Sequence, residues 1–474
     1  MSEFSSILSF YIHKKNVKTY SLAQYCGLDR SNMYKIINGK RKPSSIEIVR
    51  KMAQFMHLSP DERNELEKAY AITLEGPDNY YRRKDVLNFF REFTLSATPT
   101  PAFHYDVKIN DMTKSSLDSS LEVTQTIFYI ISSEMSRGQN GYIRLLVQPD
   151  ASFLISLICA ECQENANICI EHIFCLDSNS ASTQIHRNYN LNCLKQILPL
   201  YSSFKNYEAF YYYDNISSRT GNLTLFPYMV ITSQYVCLLT VGLNRGCVMN
   251  TKESLQMFSD IFDEYRQEST ALLNQITDVQ QQLKYVANLV GESSTGYNLQ
   301  MTPCFTPFIT LFQVDKYVRN DIPERTLLID HLQKFINESH TWHMQNQFKS
   351  IFSYDGAKRF MNSGRIDEYP SNICQPFDLG DRISLIKKLI SACKSGAYRM
   401  LRKDIGTSVY ELYLFVNTKN GYLMFTSPYT GYPVYLNIEE PGLLFAFYDF
   451  CENLDESLFY TPDETEILLT KLIQ

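Results

Sequence analysis

One tryptophan, Trp342, stands in a chain of 474 residues that carries 33 tyrosines and 29 phenylalanines. No apolar run is long enough to cross a bilayer. The most apolar stretch, Tyr228 to Leu243, is short and is broken by Thr232, Ser233, Gln234 and Thr240, so no membrane association is expected. Gly-x-Gly-x-x-Gly, Walker and Gly-x-Ser-x-Gly patterns are all missing, which removes the phosphate cradle and the nucleophile elbow. With no catalytic constellation to place, the chain is not expected to be an enzyme or to carry a cofactor. The twelve cysteines follow no framework spacing, which excludes a small disulfide scaffold and suits a reducing compartment. The segment MSEFSSILSFYIHKK opens with an acid and lacks a basic stretch, so it does not read as a secretory leader. A cytoplasmic location is expected.

What is present fits a soluble globular chain, 44% hydrophobic and 20% charged, long enough for two to four domains. The net charge of −6 hides an asymmetry. Residues 1–56 hold ten Lys/Arg against three acids, a balance of +7, which leaves −13 for the rest. A basic head on an acidic body suits phosphate contact at one end only.

The basic head has a legible plan. Phe4, Ile7, Leu8, Tyr11 and Ile12 make the apolar stripe of a first helix. A second helix is predicted over Ser21 to Cys26, with Leu22 and Cys26 inward and Ala23 permitting close packing. Gly27 stands where the chain must turn with positive φ, Leu28 is the buried turn residue, and Asp29 is placed to cap a third helix. Met33, Ile36 and Ile37 form the inward side of that helix; Arg30, Ser31, Tyr34 and Lys35 form its outward side. Asn38-Gly39-Lys40-Arg41-Lys42-Pro43 follows. Two short helices around a Gly-centred turn are a device for placing one helix in the DNA major groove.

These residues resemble the Cro/C1-type (XRE) helix-turn-helix family over about residues 4–57. The carriers are Leu22-Ala23, Gly27-Leu28, the helix Asp29 to Ile37, Asn38-Gly39, the basics Lys40 to Lys42, and Pro43. Ile37 departs from the pattern, which commonly has an acid there. The resemblance implies base-reading roles for Arg30, Ser31, Tyr34 and Lys35, since Arg or Lys on such a face reads guanine O6 and N7. It implies phosphate contacts from Lys18, Thr19, the Asn38 backbone, Lys40 and Arg41, which position rather than specify. Double-stranded DNA is the implied partner, and a homodimer is expected.

Further on, Ser59-Pro60-Asp61-Glu62 is a capping box opening a helix to Leu74, and Gly76-Pro77 ends it. A helix over Asp78 to Phe93 carries an aromatic stripe suited to packing within the chain or to a dimer contact. Residues 94–120 read as a Ser/Thr/Pro-rich linker. Beyond them helices and strands alternate, which predicts an α/β body, with a long helix from Thr251 to about Leu283. The body resembles itself: Tyr235, Asn250, Glu253 and Phe258 map onto Tyr422, Asn437, Glu440 and Phe445 at an offset of 187, and Glu268-Ser269 onto Glu456-Ser457 at 188.

The expected organisation is therefore a helix-turn-helix domain at 1–76, lambda-repressor-like, and a helix and linker at 77–114. Two tandem related α/β modules follow, at 115–290 and 297–474. Cys159, Cys162, Cys169 and Cys175 suggest zinc by type, but they fall on apolar helix and strand patterns where cysteine is a small core residue; no metal is expected. His340 and His343, with His331 nearby, put imidazoles on one helix without a third ligand. For the whole chain these features predict a sequence-specific transcriptional regulator whose body senses a small molecule or peptide, or mediates oligomerisation. The alternatives are a mobile-element or defence-associated repressor whose body is a protein-interaction platform, and an enzyme with a DNA-binding head.

Overall fold

In a computed structural model, the described residues are 2–93, 115–137, 141–161, 168–178, 189–204, 206–216, 225–276, 278, 281–285, 295–345, 347–369, 371–403, 405, 412–428, 431 and 433–474. The chain is mixed α/β, with a helical N-terminus followed by two mixed sheets. It divides into two compact units, one ending at Asp85 and the other beginning at Val86. Most of the predicted linker lies outside the described residues.

The N-terminal unit is built from α1 (Glu3–Lys14), α2 (Thr19–Tyr25), α3 (Arg30–Ile37), α4 (Ile46–Phe55) and α5 (Pro60–Glu75), with the first part of α6 (Pro77–Arg91). Phe4, Leu8, Leu22, Met33, Ile36, Val49, Met52 and Leu66 are buried in one core, each worth about 1.5–3 kcal/mol of transfer free energy. Ile37, the departure from the family pattern, packs against that core. Gly27 has φ +68° in open space, so conformation alone demands glycine there. Gly39 is required twice over: its φ is +71°, and a Cβ would meet Ser5 Oγ at 2.9 Å. Asp29 caps α3 by accepting from Asn32 N at 2.8 Å, and Ser59 with Glu62 forms the capping box of α5.

The body carries two sheets. The first contains β1 (Ser116–Leu117), β2 (Tyr142–Leu146), β3 (Cys169–Asp177), β4 (Tyr207–Asp214), β5 (Tyr228–Thr232), β6 (Val236–Leu239), β7 (Gly246–Met249) and β8 (Thr270–Ala271), in the order β1-β7-β6-β5-β2-β3-β4-β8. Its helices are α7 (Ser120–Met135), α8 (Ser152–Glu161), α9 (Tyr189–Ser203) and α10 (Lys252–Glu268). The second contains β9 (Leu273–Ile276), β10 (Gly296–Leu299), β11 (Phe348–Ser353), β12 (Tyr398–Leu401), β13 (Tyr413–Val416), β14 (Gly421–Thr426) and β15 (Pro433–Ile438), in the order β12-β11-β10-β13-β14-β15-β9. Its helices are α11 (Leu311–Tyr317), α12 (Arg325–Met344), α13 (Tyr354–Ser363), α14 (Leu379–Lys394), α15 (Pro441–Glu452) and α16 (Pro462–Thr470).

The two sheets repeat one topology. β2, β3 and β4 are parallel neighbours, as are β10, β11 and β12; β5, β6 and β7 continue antiparallel from β2 as β13, β14 and β15 do from β10. β1 edges β7 as β9 edges β15. Even β8 on β4 has a counterpart, the bridge Leu401↔Phe459 on β12.

The register corrects the offsets of 187 and 188. Hairpin pairs Ile231↔Val236 and Val416↔Gly421 correspond at 185, while the helix caps Thr251 and Glu440 correspond at 189. The second hairpin ladder is longer, so one constant offset averaged the two. Phe258 then matches Phe447, which is fully buried, rather than the exposed Phe445.

A second correction concerns the helix from Thr251 to Leu283. It ends at Glu268, where Ser269 turns extended. Thr270 to Ile276 instead supply edge strands to β4 and then β15, burying Leu272 and Leu273. Tertiary pairing outweighs helix propensity there. One core joins the inner faces of both sheets, including Leu145, Val230, Leu414 and Leu436, and α6 contributes Phe89 and Phe90 against Phe447 and Phe450. The aromatic stripe therefore packs within the chain.

Candidate nucleic-acid interface

Charge in the N-terminal unit is sorted by element. Around α1, α4 and α5 several cations are paired: Lys14 and Lys15 meet Glu62 at 2.9 and 2.8 Å, and Arg50 and Arg63 share Glu67 at 3.4 and 2.8 Å, while Lys51 and Lys68 are exposed without an ion pair among the described residues. Hydrogen bonds from Lys15 and Lys14 hold the Glu62 carboxyl down to about 2. Lys18, Arg30, Lys35, Lys40 and Arg41, on α2, α3 and the turn after it, are exposed. Among the described residues none of these five has an ion pair.

On α3 the residues divide by helical spacing. Met33 and Ile36 face the core, while Arg30, Ser31, Tyr34 and Lys35 are exposed. The Arg30 guanidinium lies 5.6 Å from the Tyr34 ring centroid, so these two side chains stand together one turn apart. The turn after α3 is tied to its start. Arg41 Nη1 donates to Asn32 Oδ1 at 2.6 Å, and Asn32 Nδ2 donates to Asp29. Asp29, the N-cap of α3, is thereby engaged by both the backbone and the side chain of Asn32. Asn32 was missed as a positioning residue, although its spacing three residues after Asp29 could have found it.

The backbone amide expected to meet phosphate is already engaged. The Asn38 N–H donates to Tyr34 O at 3.0 Å, and the Lys40 and Arg41 N–H groups both donate to Lys35 O, at 2.8 and 3.1 Å. These amides close the helix and are not free for phosphate. Asn38, Lys40 and Arg41 instead offer exposed side chains. Lys18 is exposed and Thr19 half-buried at the start of α2. Lys42 is turned away, its Nζ donating to Leu74 O at 3.2 Å.

In the body, Cys159 and Cys175 are buried, Cys169 is exposed, and Cys162 lies outside the described residues. Burial pushes the Cys159 thiol up to about 12, far from a metal-ready thiolate. Among the described residues no group of three or more His, Cys, Asp or Glu could hold a metal ion, and no helix is long and apolar enough to cross a membrane. His340 and His343 both line one groove on α12; His331 is not part of it.

No family model and no curated protein matches this chain. Among solved structures, the crystal structure of phosphatidylserine synthase from Haemophilus influenzae Rd KW20 is similar over 75% of this chain and 92% of that one, at 13% identity and a TM-score of 0.22. A likeness of that size carries no argument about fold or activity. The expectation for the whole chain is corrected here: neither family nor curated comparison supports a sequence-specific transcriptional regulator with a sensing or interaction body. That reading is withdrawn. The same finding gives no ground for the expected absence of enzymatic activity.

Proposed function

We propose that the N-terminal unit docks on double-stranded DNA with α3 in the major groove. The proposal concerns residues 2–85 and assigns the chain no part in gene control. The observation that carries it is the clustering of five exposed cations without an ion pair, Lys18, Arg30, Lys35, Lys40 and Arg41, at the start of α2, on α3 and on the following turn, while Lys14, Lys15, Arg50, Arg63 and Arg83 elsewhere in the unit are held by carboxylates. In this reading Lys18, Thr19, Asn38, Lys40 and Arg41 meet phosphate, and Arg30, Ser31, Tyr34 and Lys35 face base edges. The Arg41–Asn32–Asp29 chain holds the phosphate-facing turn at a fixed distance from the start of α3.

Fluorescence anisotropy with a labelled duplex tests this. Counterion release predicts that log affinity falls linearly with log salt, by about 0.9 for each phosphate contact. Lys40→Ala should lower that slope by about 1 and weaken binding to all duplexes alike, whereas Arg30→Ala should leave the slope nearly unchanged while lowering affinity. A salt-independent signal, or equal slopes for wild type and Lys40→Ala, sinks the assignment.

A further inference from the structure

In the second half of the body a groove of about 770 Å³ opens between α12, α14 and the turn Pro307 to Leu311. Its floor is apolar, with Phe308, Ile309 and Ile336 all buried. Its ionisable groups are of one sign: His340, His343 and Lys388 line it, and no carboxylate is among the lining residues.

Each of the three has something left to offer. His343 packs edge-on against Phe308 and Tyr398, with centroids 5.4 and 5.7 Å away. Its Nδ1 is buried without a hydrogen-bond partner among the described residues, an unfavourable state for an imidazole nitrogen. Burial, then the nearby His340 and Lys349, hold it below the usual imidazole range. His340 Nδ1 lies 3.2 Å from Pro307 O; a carbonyl only accepts, so Nδ1 carries the hydrogen and Nε2 is left for another group. Lys388 Nζ donates to Phe308 O at 2.7 Å, which uses one of its three donors. It stands nearly two turns before the end of α14, clear of the last turn whose carbonyls disfavour anions.

We propose that this groove binds a small organic anion, a carboxylate carried on an apolar body. The carboxylate lies among Lys388, His340 and His343, accepts from the remaining donors of Lys388 Nζ, and gives His343 Nδ1 an acceptor in the tautomer that carries its hydrogen there. The apolar body covers Phe308 and Ile336. Water could satisfy the nitrogens but gains nothing from the apolar floor, and the volume falls in the range of ordinary ligand sites. One cation, Lys388, beside two imidazoles with no counter-acid among the lining residues selects an anion over a neutral ligand of the same shape. This site is independent of the DNA-binding reading.

Octanoate is the probe and octan-1-ol the neutral control, each titrated calorimetrically into the full chain. Octanoate should bind at least about tenfold more tightly than the alcohol, and Lys388→Met should remove most of that advantage while leaving the alcohol unaffected. Ser391→Trp, at an exposed position on the groove wall, should block both ligands without disturbing the core. Equal affinity for acid and alcohol, no heat with octanoate, or unchanged octanoate binding in Ser391→Trp overturns the proposal.

Discussion

In the body, Arg144 holds Glu171 and Asp263 at 2.9 and 3.1 Å, Lys316 holds Asp378 and Asp381 at 2.5 and 2.8 Å, and Lys394 holds Glu466 at 2.8 Å. Some body arginines also lie against aromatic faces, Arg266 3.3 Å from the Phe210 centroid and Arg399 3.6 Å from that of Phe459. In the N-terminal unit, Lys18, Arg30, Lys35, Lys40 and Arg41 hold no carboxylate among the described residues. A cation already bonded to a carboxylate must break that bond to take a phosphate, whereas an exposed one that holds no carboxylate gives up mainly water and counterions. Exposed cations without an ion pair among the described residues stand in the body as well, among them Lys252, Lys358, Arg365 and Lys387, whereas in the N-terminal unit five are gathered on α3 and the segments flanking it. The difference therefore lies in where the available cations stand.

The widest separation between the regions should come from charge reversal. Lys35→Glu with Arg41→Glu removes two contacts and adds two repulsions, so duplex affinity at about 0.1 M salt should fall roughly a thousandfold. Reversing a paired body cation, Lys394→Glu, should change it by less than about threefold, through long-range field alone. Anisotropy with one duplex measures both, with circular dichroism as the check on folding. If the body variant loses as much as the head variant, the placement of available cations is not what distinguishes the regions.

A second contrast lies between the two halves of the body, and it appears with pH. His172 on β3 is fully buried between Tyr207 OH and Val147 O, each 2.8 Å away, and burial lowers its pKa to about 4. The folded chain keeps this imidazole neutral while the unfolded chain protonates it near 6.5. Stability is therefore full above pH 6.5 and is lost as pH falls toward 4, by on the order of 3 kcal/mol. Glu368, beside a cavity of about 40 Å³ in the other half, is raised by burial to about 7. The folded chain keeps its proton where the unfolded chain releases it near 4.5, so stability is full below 4.5 and is lost as pH rises through 7, by a similar amount. Glu368→Gln should raise the midpoint of denaturant unfolding at pH 8 and leave it unchanged at pH 4. His172→Gln should flatten the acid limb between pH 6.5 and 4. An acid limb that persists in His172→Gln places the lability elsewhere.

Neither buried group could be read from sequence, because His172 and Glu368 look like ordinary strand and loop residues until the fold surrounds them. The N-terminal helices were legible because their signals are local. Asp29 before a helix, Ser59 with Glu62, and Gly27 after Cys26 each act within a turn of chain. The exposed residues of α3 could be named for the same reason, while the closure of the Asn38 amide onto Tyr34 O required coordinates. In the body, alternating patterns showed helices and strands, but β8 and β9 were hidden. Thr270 to Ile276 have no partner nearby in sequence, and their pairing with β4 and β15 is a long-range event. The repeat was visible and its register was not, because insertions of a few residues leave similarity intact while shifting every pairing.

The smallest effect tests whether the two halves are interchangeable in detail. Both hairpins close on a four-residue turn opened by a buried polar residue, Thr232 in one and Asn417 in the other. Thr232 Oγ1 accepts from Gln234 N and Tyr235 N at 3.4 and 3.1 Å; Asn417 Oδ1 accepts from Lys419 N and Asn420 N at 2.8 and 2.7 Å. Asn417 also carries a buried Nδ2 without a hydrogen-bond partner among the described residues. Asn417→Ala strands two amides and should cost about 1–2 kcal/mol. Asn417→Thr imports the other half's solution, keeping an acceptor and removing the orphaned donor, and should stay within about 0.5 kcal/mol of wild type. Denaturant midpoints at constant m-value measure both. Should Asn417→Thr lose as much as Asn417→Ala, the shared turn is a likeness of topology that does not extend to the side chains holding it.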